Sequence, residues 1–421
     1  MKICPDEVCT ACSACVNSCP TRALSLMENS YGELHPVVNR AKCISCGLCQ
    51  RVCPNNSQMT LHTPRHCYAS WMTDKVKRAE CASGGIATAI SELIISNKGV
   101  VFGTAYDSSM TPCIIAAETE DALDKLKGSK YVQSLIGDNI FQNVKRCLDD
   151  NREVLFVGTP CQIAGLLAFL KEPYHNLTTI DLLCHGVCPT RYFMEEIGHL
   201  KQKRRIESIA NVRFRGNDDD NSKMTFYERL IGRYNSNNFR FSVWKHNGAG
   251  RPSLCYRGDQ NENYYIAGFL LGVTLRENCY SCRYAKPKRI GDITLGDFIN
   301  LGKSSPFEYP TDNVSMVLVN TEKGQSVFSA VARSSRTLHI VERKLKERLS
   351  YKYSILEPFP RHRLNTRFKI LYLKYGYVKA IQITLGPVLI WNLLRMRLKH
   401  FMRLPKYAII NLIHRGRLSH F

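Results

Sequence analysis

Residues 9–20 read CTACSACVNSCP, and residues 43–54 read CISCGLCQRVCP. Both stretches follow the spacing C-x2-C-x2-C-x3-C-P, in which closely spaced thiols on one loop hold three irons of a [4Fe-4S] cube. The fourth iron needs a ligand from elsewhere, and in two-cluster proteins it comes from the last cysteine of the other run. We therefore predict two [4Fe-4S] clusters, held by Cys9, Cys12, Cys15 and Cys53 and by Cys43, Cys46, Cys49 and Cys19.

The segment between the two runs has the pattern of a β-hairpin. Short apolar stretches at residues 23–26 and 34–38 flank a turn that contains Gly32. Residues 1–58 resemble bacterial-type two-cluster ferredoxins, which implies an α+β ferredoxin-like domain. The alternative is a disulfide framework, as in small secreted proteins. Residues 1–6 show no apolar signal segment, so we expect clusters rather than disulfides.

Length, composition and net charge limit the possible domain number, location and partners of the chain. Its 421 residues leave room for about three domains, and 44% hydrophobic residues is ordinary for a folded protein. The 19 cysteines, without a recognisable targeting segment, predict a reducing cytoplasmic location. The formal net charge of +22 predicts an acidic partner, such as an anionic lipid surface or an acidic protein.

The excess positive charge is concentrated at the carboxyl end. Residues 358–421 contain 13 Lys and Arg and no Asp or Glu, and we predict a basic amphipathic helical tail. Residues 380–394 are apolar but too short and too interrupted to predict a membrane span. Residues 393–404 alternate apolar and basic side chains, which favours peripheral contact with an anionic inner membrane face. The alternative is a terminal helix docked on the protein. No nucleic-acid module accompanies the charge, so we expect no nucleic-acid partner.

Residues 65–350 have the pattern of an α/β domain with a largely parallel sheet. Apolar strands are predicted at 100–106, 153–157 and 177–183, and helices follow at several of their ends. Ser83 is predicted to cap a helix over residues 86–95. Two glycines follow this serine and would allow a phosphate to approach the exposed amides at the start of that helix.

Two cysteines follow neighbouring predicted strands. Cys161 comes after the strand at 153–157, and Cys184 comes after the strand at 177–183, so both are expected at the carboxyl edge of the sheet. A separate C-x2-C pair, Cys279 and Cys282, completes a set of four soft ligands. Such a set suits a third [4Fe-4S] cluster or a zinc ion, and Cys188 competes as a ligand.

A family resemblance rests on these motifs. The segments SGG at 83–85, GSKY at 128–131, GTPC at 158–161, CHG at 184–186 and the C-x2-C pair through GDIT at 291–294 resemble the family of coenzyme F-420 hydrogenase/dehydrogenase beta subunits. The resemblance covers roughly residues 65–345. We expect residues 65–150 and 151–350 to be two parts of one such domain, followed by the tail at 358–421.

The resemblance implies an FAD-containing iron–sulfur oxidoreductase with an α/β flavin-binding domain. Matching the motifs places the FAD contacts at Ser83, Gly84, Gly85, Thr88, Lys130, Gly158 and Thr159. It also places a third [4Fe-4S] cluster on Cys161, Cys184, Cys279 and Cys282. His185 is a candidate proton donor beside the flavin, and a purely local hydrogen bond is the alternative use of this side chain.

Several functions follow as hypotheses. The first is an oxidoreductase that moves electrons between a two-electron carrier at FAD, with coenzyme F-420 as a candidate substrate, and one-electron clusters. Similar bacterial proteins are associated with surface-polysaccharide genes. The second is a ferredoxin-type electron-transfer adaptor that serves a partner reductase, without a substrate of its own. The third is an iron–sulfur protein that binds nucleic acid. A redox partner protein is expected for the first two.

Overall fold

The computed structural model describes residues 2–215, 239–248, 250–334 and 337–416, and in the last range the side chains up to residue 395 and that of Leu398. The strands are β1 Leu24–Glu28, β2 Leu34–Val38, β3 His66–Met72, β4 Val100–Tyr106, β5 Pro112–Ala117, β6 Val154–Gly158, β7 Leu177–Leu182, β8 Ile209–Arg215, β9 Phe239–Asn247, β10 Gly250–Asp259, β11 Ile293–Asp297, β12 Ser315–Val319 and β13 Leu338–Glu342.

Helices connect and cover these strands, together with two 3-10 turns at Asp6–Val8 and Glu277–Ser281. The helices are α1 Ala14–Asn17, α2 Leu48–Arg51, α3 Lys75–Glu80, α4 Ile86–Ser96, α5 Glu120–Leu126, α6 Ile140–Asp149, α7 Pro160–Leu170, α8 Thr190–Arg204, α9 Tyr264–Leu270, α10 Glu322–Ser334, α11 Lys346–Leu349 and α12 Asn365–Gly416.

The amino-terminal region is duplicated in structure as well as in sequence. Helices α1 and α2 are separated by the same interval as Cys9 and Cys43. Strands β1 and β2 form the predicted antiparallel hairpin, with Leu24 opposite Val38. Gly32 adopts a φ of 70° in the turn, a conformation that glycine reaches without steric cost.

The large sheet has the strand order β13-β3-β12-β11-β7-β6-β4-β5. Only β11, β7, β6 and β4 pair in parallel, and the other neighbouring pairs are antiparallel. The prediction of a largely parallel sheet is therefore wrong, because the sheet is mixed. The strand–helix alternation on which it was based holds for β6 and β7, each of which is followed by a helix. It does not hold for β5, which follows β4 after a connection too short for a parallel crossover.

Both faces of the central strands are covered by helices. Ile90 of α4 and Phe328 of α10 pack on one face, and Phe141 of α6 and Ile163 of α7 pack on the other. Each buried side chain of this size stabilises the fold by about 1.5–3 kcal/mol. The carboxyl ends of β6 and β7 therefore lie on a rigid support.

A second sheet, with the order β10-β9-β8, is antiparallel. The sequence analysis did not predict it. It belongs to an apolar core that also includes α8, α9 and the first half of α12. Tyr377 and Ile381 of α12 are fully buried there. The segment that begins at residue 358 is thus part of the folded body before it becomes a tail.

Helix α12 is interrupted at Gly376, where φ is 73° and ψ is 178°. By length and composition, residues Asn365–Arg395 could cross a membrane, with a mean hydropathy of 1.3, and 39% of the apolar window is buried inside the protein. One such helix is weak evidence for a span, because core helices share these properties. The predicted amphipathic stretch 393–404 lies largely outside the described side chains.

Candidate metal centres and flavin site

The structure brings the first predicted ligand set together around one cavity. Cys9, Cys12, Cys15 and Cys53 line a cavity of about 320 Å³, and Cys4 lines it with them. All five side chains are buried. Burial raises the pKa of the Cys12 thiol to about 12. A buried thiolate therefore requires a compensating positive charge, which a bound metal cluster supplies.

The second predicted set surrounds another cavity. Cys19, Cys43, Cys46 and Cys49 line a space of about 390 Å³ that is partly open to solvent. Cys46 is exposed and the other three are half-buried. Each cavity is thus lined by three cysteines of one run and the last cysteine of the other. The cysteines of the second cavity are more exposed than those of the first.

Matched backbone turns shape the two cysteine loops. Ala11 and Ser13 have φ values of 51° and 60°, and the equivalent Ser45 and Gly47 have 55° and 71°. These left-handed conformations are costly for residues with a side chain. Their recurrence in both copies indicates that the turn is needed to bring the successive thiols to one side of the loop.

The third predicted set converges at the carboxyl edge of the large sheet. Cys161 lies in the first turn of α7, Cys184 follows β7, and Cys279 and Cys282 lie in and directly after the second 3-10 turn. Burial raises the pKa of Cys184, and the nearby Cys161 and Cys282 raise it further. Burial and the nearby Cys184 likewise raise the pKa of Cys279. The four thiols are therefore close enough to interact electrostatically.

Cys188 has a local partner. Its side chain is fully buried in the apolar core beside the second sheet, and its Sγ lies 3.3 Å from the Thr274 hydroxyl. The same buried cluster includes Cys279 of the third set.

The spacing of the thiols also bears on the type of metal centre. In the part of the chain that the structure describes, no group of three or more Cys, His, Asp or Glu side chains is arranged around a single ion. One zinc ion draws its thiolates to about 2.3 Å from itself. A four-iron cube has each thiolate on a separate corner iron and so keeps the sulfurs farther apart.

Helix α7 joins the third set to the first cavity. Gly165 of α7 lies one turn after Cys161, on the same face of the helix. A Cβ atom at Gly165 would lie 2.7 Å from the Cys12 Cβ and 2.9 Å from the Cys12 Sγ. The nearby Cys161 also raises the pKa of Cys12. Direct packing of the cysteine loop on α7 thus places the two thiol sets side by side.

A buried arginine lies at this junction, which the sequence analysis did not single out. Arg276 is 1% exposed, and its Nη2 donates to the carbonyl oxygens of Cys9 at 3.2 Å and Leu34 at 3.1 Å. Its Nε donates to Asn278 at 3.2 Å, and its Nη1 has no hydrogen-bond partner among the described atoms. The sequence signal that could have identified Arg276 was its position just before the C-x2-C pair. A single arginine matches no motif, so this signal was too weak for a prediction.

The predicted dinucleotide segment opens α4. Gly85, with a φ of 88°, is the N-cap residue of this helix, so the prediction that Ser83 caps it is wrong. The turn needs a left-handed residue directly before the helix, which glycine supplies. The Ser83 hydroxyl is instead buried without a partner in the described structure. A Cβ at Gly84 would collide with the carbonyl oxygen of Ser70. Thr88 lies with its hydroxyl 3.4 Å from the Cys81 thiol.

Lys130 lies beyond the end of α5. Its Nζ donates to several carbonyl oxygens of the last turn, including that of Lys127 at 3.0 Å. Burial lowers the pKa of Lys130 to about 7, while the carbonyl contacts favour the charged form. An ion pair of 2.8 Å between Lys127 and Glu80 joins this segment to the end of α3, the helix that precedes the Ser83–Thr88 segment.

Gly158 and Thr159 form the turn between β6 and α7. Gly158 is the last residue of β6. Thr159 is the N-cap of α7 and forms a capping box with Gln162. Its hydroxyl lies 3.2 Å from the Cys161 thiol. The predicted flavin contact at Thr159 and the third cysteine set are therefore adjacent.

His185 is held among aromatic side chains. Its Nε2 donates to the Phe269 carbonyl oxygen at 3.0 Å, and its ring centroid lies 3.9 Å from that of Phe359. Burial lowers the pKa of His185 to about 4, so the ring is neutral at physiological pH. The sequence left two uses open for His185, a proton donor beside the flavin and a purely local hydrogen bond. The structure contains such a local hydrogen bond. The catalytic role stays a prediction.

Comparison with known proteins agrees with the cysteine pattern. Residues 151–343 match the family model that describes the C-terminal part of coenzyme F420 hydrogenase/dehydrogenase beta subunits. Residues 8–57 match a 4Fe-4S dicluster domain. A chain of the F420-reducing [NiFe] hydrogenase complex from Methanosarcina barkeri is similar over 78% of this chain and 93% of its own length, with 15% identity and a TM-score of 0.38.

Two curated relatives match different parts of the chain. One of the subunits of the F(420)H(2) dehydrogenase of Methanosarcina mazei is 21% identical over 223 residues, which cover 49% of this chain and 62% of that protein. The polyferredoxin-like subunit of an aliphatic sulfonate oxidoreductase from Pyrococcus furiosus is 49% identical over 51 residues, 12% of this chain and 24% of that protein. The matches therefore span less than two thirds of each relative. The chain therefore joins a segment that matches a 4Fe-4S dicluster domain to a segment that matches the C-terminal part of coenzyme F420 hydrogenase/dehydrogenase beta subunits, in agreement with the resemblance that its motifs indicated.

Proposed function

We propose that this chain is an iron–sulfur flavoprotein oxidoreductase that exchanges electrons between a two-electron carrier and one-electron [4Fe-4S] centres. One observation carries the proposal: three sets of four cysteines lie in sequence, from a set with one exposed member through a fully buried set to the edge of the large sheet. A disulfide framework or a lone structural metal would not require such a series. Both family matches are to proteins of electron transfer.

The chain's own residues define the order of the centres. Helix α1 carries Cys15 of the first set, and Cys19 of the second set follows it four residues later. At the other end, Cys12 packs on α7 close to Cys161. The buried Tyr284 packs in the same apolar cluster as these two cysteines. Electrons would therefore pass through the first centre on the way between the second and the third.

The flavin is assigned to the neighbourhood of Ser83, Gly85, Lys130 and Thr159. Bound FAD would supply conversion between two-electron and one-electron transfer. The buried, unpartnered Ser83 hydroxyl could donate to a phosphate oxygen. The left-handed Gly85 is the N-cap of α4, and the amides of the first turn of this helix would favour a bound phosphate. Protonated Lys130 would add a positive charge, and Thr159 would bring the ligand beside Cys161.

The proposal also specifies the type of the third metal centre and the substrate. We assign [4Fe-4S] rather than zinc to Cys161, Cys184, Cys279 and Cys282, because the same chain also matches a 4Fe-4S dicluster domain and a third cluster would extend that electron path. Coenzyme F-420 is the favoured two-electron substrate, since one curated relative belongs to an F(420)H(2) dehydrogenase. A role in surface-polysaccharide synthesis would set the cellular context.

Anaerobic purification followed by iron, sulfide and flavin analysis tests the proposal. We expect three cubanes and one FAD per chain, and bleaching of the flavin by reduced coenzyme F-420. NADH and a reduced ferredoxin serve as comparison donors. Protein that is devoid of iron after anaerobic preparation would overturn the proposal. Iron without flavin would leave only the adaptor function.

The adaptor alternative is favoured by the exposure of Cys46. A cluster bound by this side chain would have one ligand at the surface, where a partner protein could exchange electrons with it. An adaptor would hold its clusters but show no turnover with any small carrier until its partner reductase was added. Turnover by the isolated chain would exclude this alternative.

Peripheral membrane contact is a separate part of the proposal. The cytoplasmic chain would touch an anionic inner face through the basic segment after residue 395. Sedimentation with vesicles of phosphatidylglycerol and phosphatidylcholine tests this, with pure phosphatidylcholine vesicles as the control. Binding should fall with salt and disappear when residues 396–421 are deleted. Equal binding to both vesicle types would contradict an electrostatic contact.

A further inference from the structure

A fifth thiol lines the first cavity. Cys4 is buried and shares the cavity wall with Cys9, Cys12, Cys15 and Cys53. Cys4 also belongs to the same buried cluster as Cys9, Cys15 and Cys53. Cys4 therefore lies beside the predicted ligands, although it stands outside the C-x2-C-x2-C-x3-C-P pattern.

The second copy shows what the fold itself needs at this position. Cys4 precedes Cys9 by the same interval by which Val38 precedes Cys43, and Val38 lines the second cavity. An apolar side chain therefore fills this place in one copy, and a thiol fills it in the other. Packing alone does not explain the thiol, because a valine satisfies the same position in the duplicated unit.

We propose that Cys4 is a reserve ligand of the first cluster and can replace Cys9 or Cys53 at its iron. This inference rests on the proposed cluster site. In the exchange, the Cys4 thiol gives up its proton and its Sγ bonds to iron. The iron–Sγ bond of the displaced cysteine breaks, and that thiolate takes up a proton. No electrons change hands, so the exchange needs no oxidant.

The duplicated chain supplies its own control for the experiment. The variants Cys9→Ala and Cys43→Ala each remove the first ligand of a run. Each is prepared anaerobically with and without Cys4→Val, and Cys4→Val is also prepared alone. Iron and sulfide content and the EPR spectrum of the reduced protein are measured, because they report cluster occupancy independently of activity. We expect Cys9→Ala to keep its cluster and Cys43→Ala to lose the second one. Adding Cys4→Val should empty the first site of the Cys9→Ala protein.

Three outcomes would overturn the inference. The first is that Cys9→Ala and the double variant Cys9→Ala/Cys4→Val lose the first cluster to the same extent. The second is retention of the second cluster in Cys43→Ala, since Val38 cannot bind iron. The third is loss of the first cluster in Cys4→Val alone, which would make Cys4 an obligatory structural element. Wild-type protein without iron would instead end the proposed function, so the two failures are distinguishable.

Discussion

At the scale of single residues, Arg276 places a positive charge between the first cavity and the third cysteine set. The structure shows no ion pair for Arg276 among the described residues, and the neighbouring Glu277 carboxylate pairs with Arg361 and Lys369. A buried guanidinium without a carboxylate is costly. The net negative charge of a thiolate-bound cluster would compensate it.

We predict that Arg276→Gln lowers the midpoint potential of the first cluster, because the reduced cluster loses a stabilising positive charge. An interaction of about 1–2 kcal/mol, expected at an effective dielectric constant of ~20, corresponds to roughly 40–90 mV for one electron. EPR-monitored redox titration measures the shift, and the second cluster is an internal reference. Arg276→Lys should keep most of the potential.

Arg51→Gln is the matched control for this prediction. Arg51 also donates to the carbonyl oxygen of a cluster cysteine, Cys46, at 3.0 Å, but its side chain is exposed and screened by solvent. We expect little change in either potential. A shift of similar size in Arg51→Gln and Arg276→Gln would show that burial of the charge is not what matters.

Glu196 of α8 provides a pH-dependent prediction. Burial raises its pKa to about 7, although a hydrogen bond from Asn263 opposes the shift. The folded state thus binds a proton that the unfolded state releases between about pH 4.5 and 7, and stability falls as pH rises through this window. Glu196→Gln keeps the acceptor and removes the charge. It should stabilise the protein by ~1 kcal/mol more at pH 8 than at pH 6.

Thermal unfolding of the anaerobic protein at the two pH values measures this difference. Glu207→Gln, at an exposed position near the end of the same helix, is the control and should show no comparable dependence. An equal change of the unfolding temperature at pH 6 and pH 8 in Glu196→Gln would contradict the buried, protonated state of this carboxyl group.

At the scale of elements, the packing of helix α7 on the first cysteine loop decides how close the two thiol sets lie. We predict that Gly165→Ala destabilises the protein by ~1–3 kcal/mol, because the added Cβ overlaps the Cys12 side chain and backbone. It should also reduce the iron content of the first site. Urea unfolding and iron analysis measure the two effects.

Gly198→Ala is the matched control in helix α8. An added Cβ there meets nothing within 4 Å, so the greater helix propensity of alanine should stabilise the protein by up to ~1 kcal/mol. Iron content should stay that of the wild type. Equal behaviour of the two alanine variants would exclude close packing at Gly165 as the reason for the glycine.

At the scale of the whole molecule, α12 is both core and tail. Deleting residues 364–421 would remove Tyr377, Ile381 and Leu385, each with 0% exposure, and we predict loss of soluble folded protein because each such side chain contributes several kcal/mol. Deleting residues 396–421 should leave the unfolding temperature nearly unchanged. Circular dichroism and thermal unfolding compare the two. Equal stability of both truncations would refute the assignment of the first half to the core.

The amino-acid sequence by itself determined the local features of this protein. The two cysteine runs, the hairpin between them and the strand–helix units around Cys161 depend on neighbours in the chain, so spacing and periodicity were sufficient to predict them. The same reasoning missed the three-stranded sheet and placed the helix cap at Ser83, because turns with left-handed residues depend on contacts as well as on composition.

Only the tertiary structure decided which distant residues meet. The mixed order of the large sheet, the closeness of Cys12 to α7 and the burial of Arg276 beside Cys9 depend on contacts between residues far apart in the chain. No local pattern encodes such contacts, since they result from the joint burial of apolar faces. The sequence thus determined the individual cysteine sets, and the packing determined that they form a series.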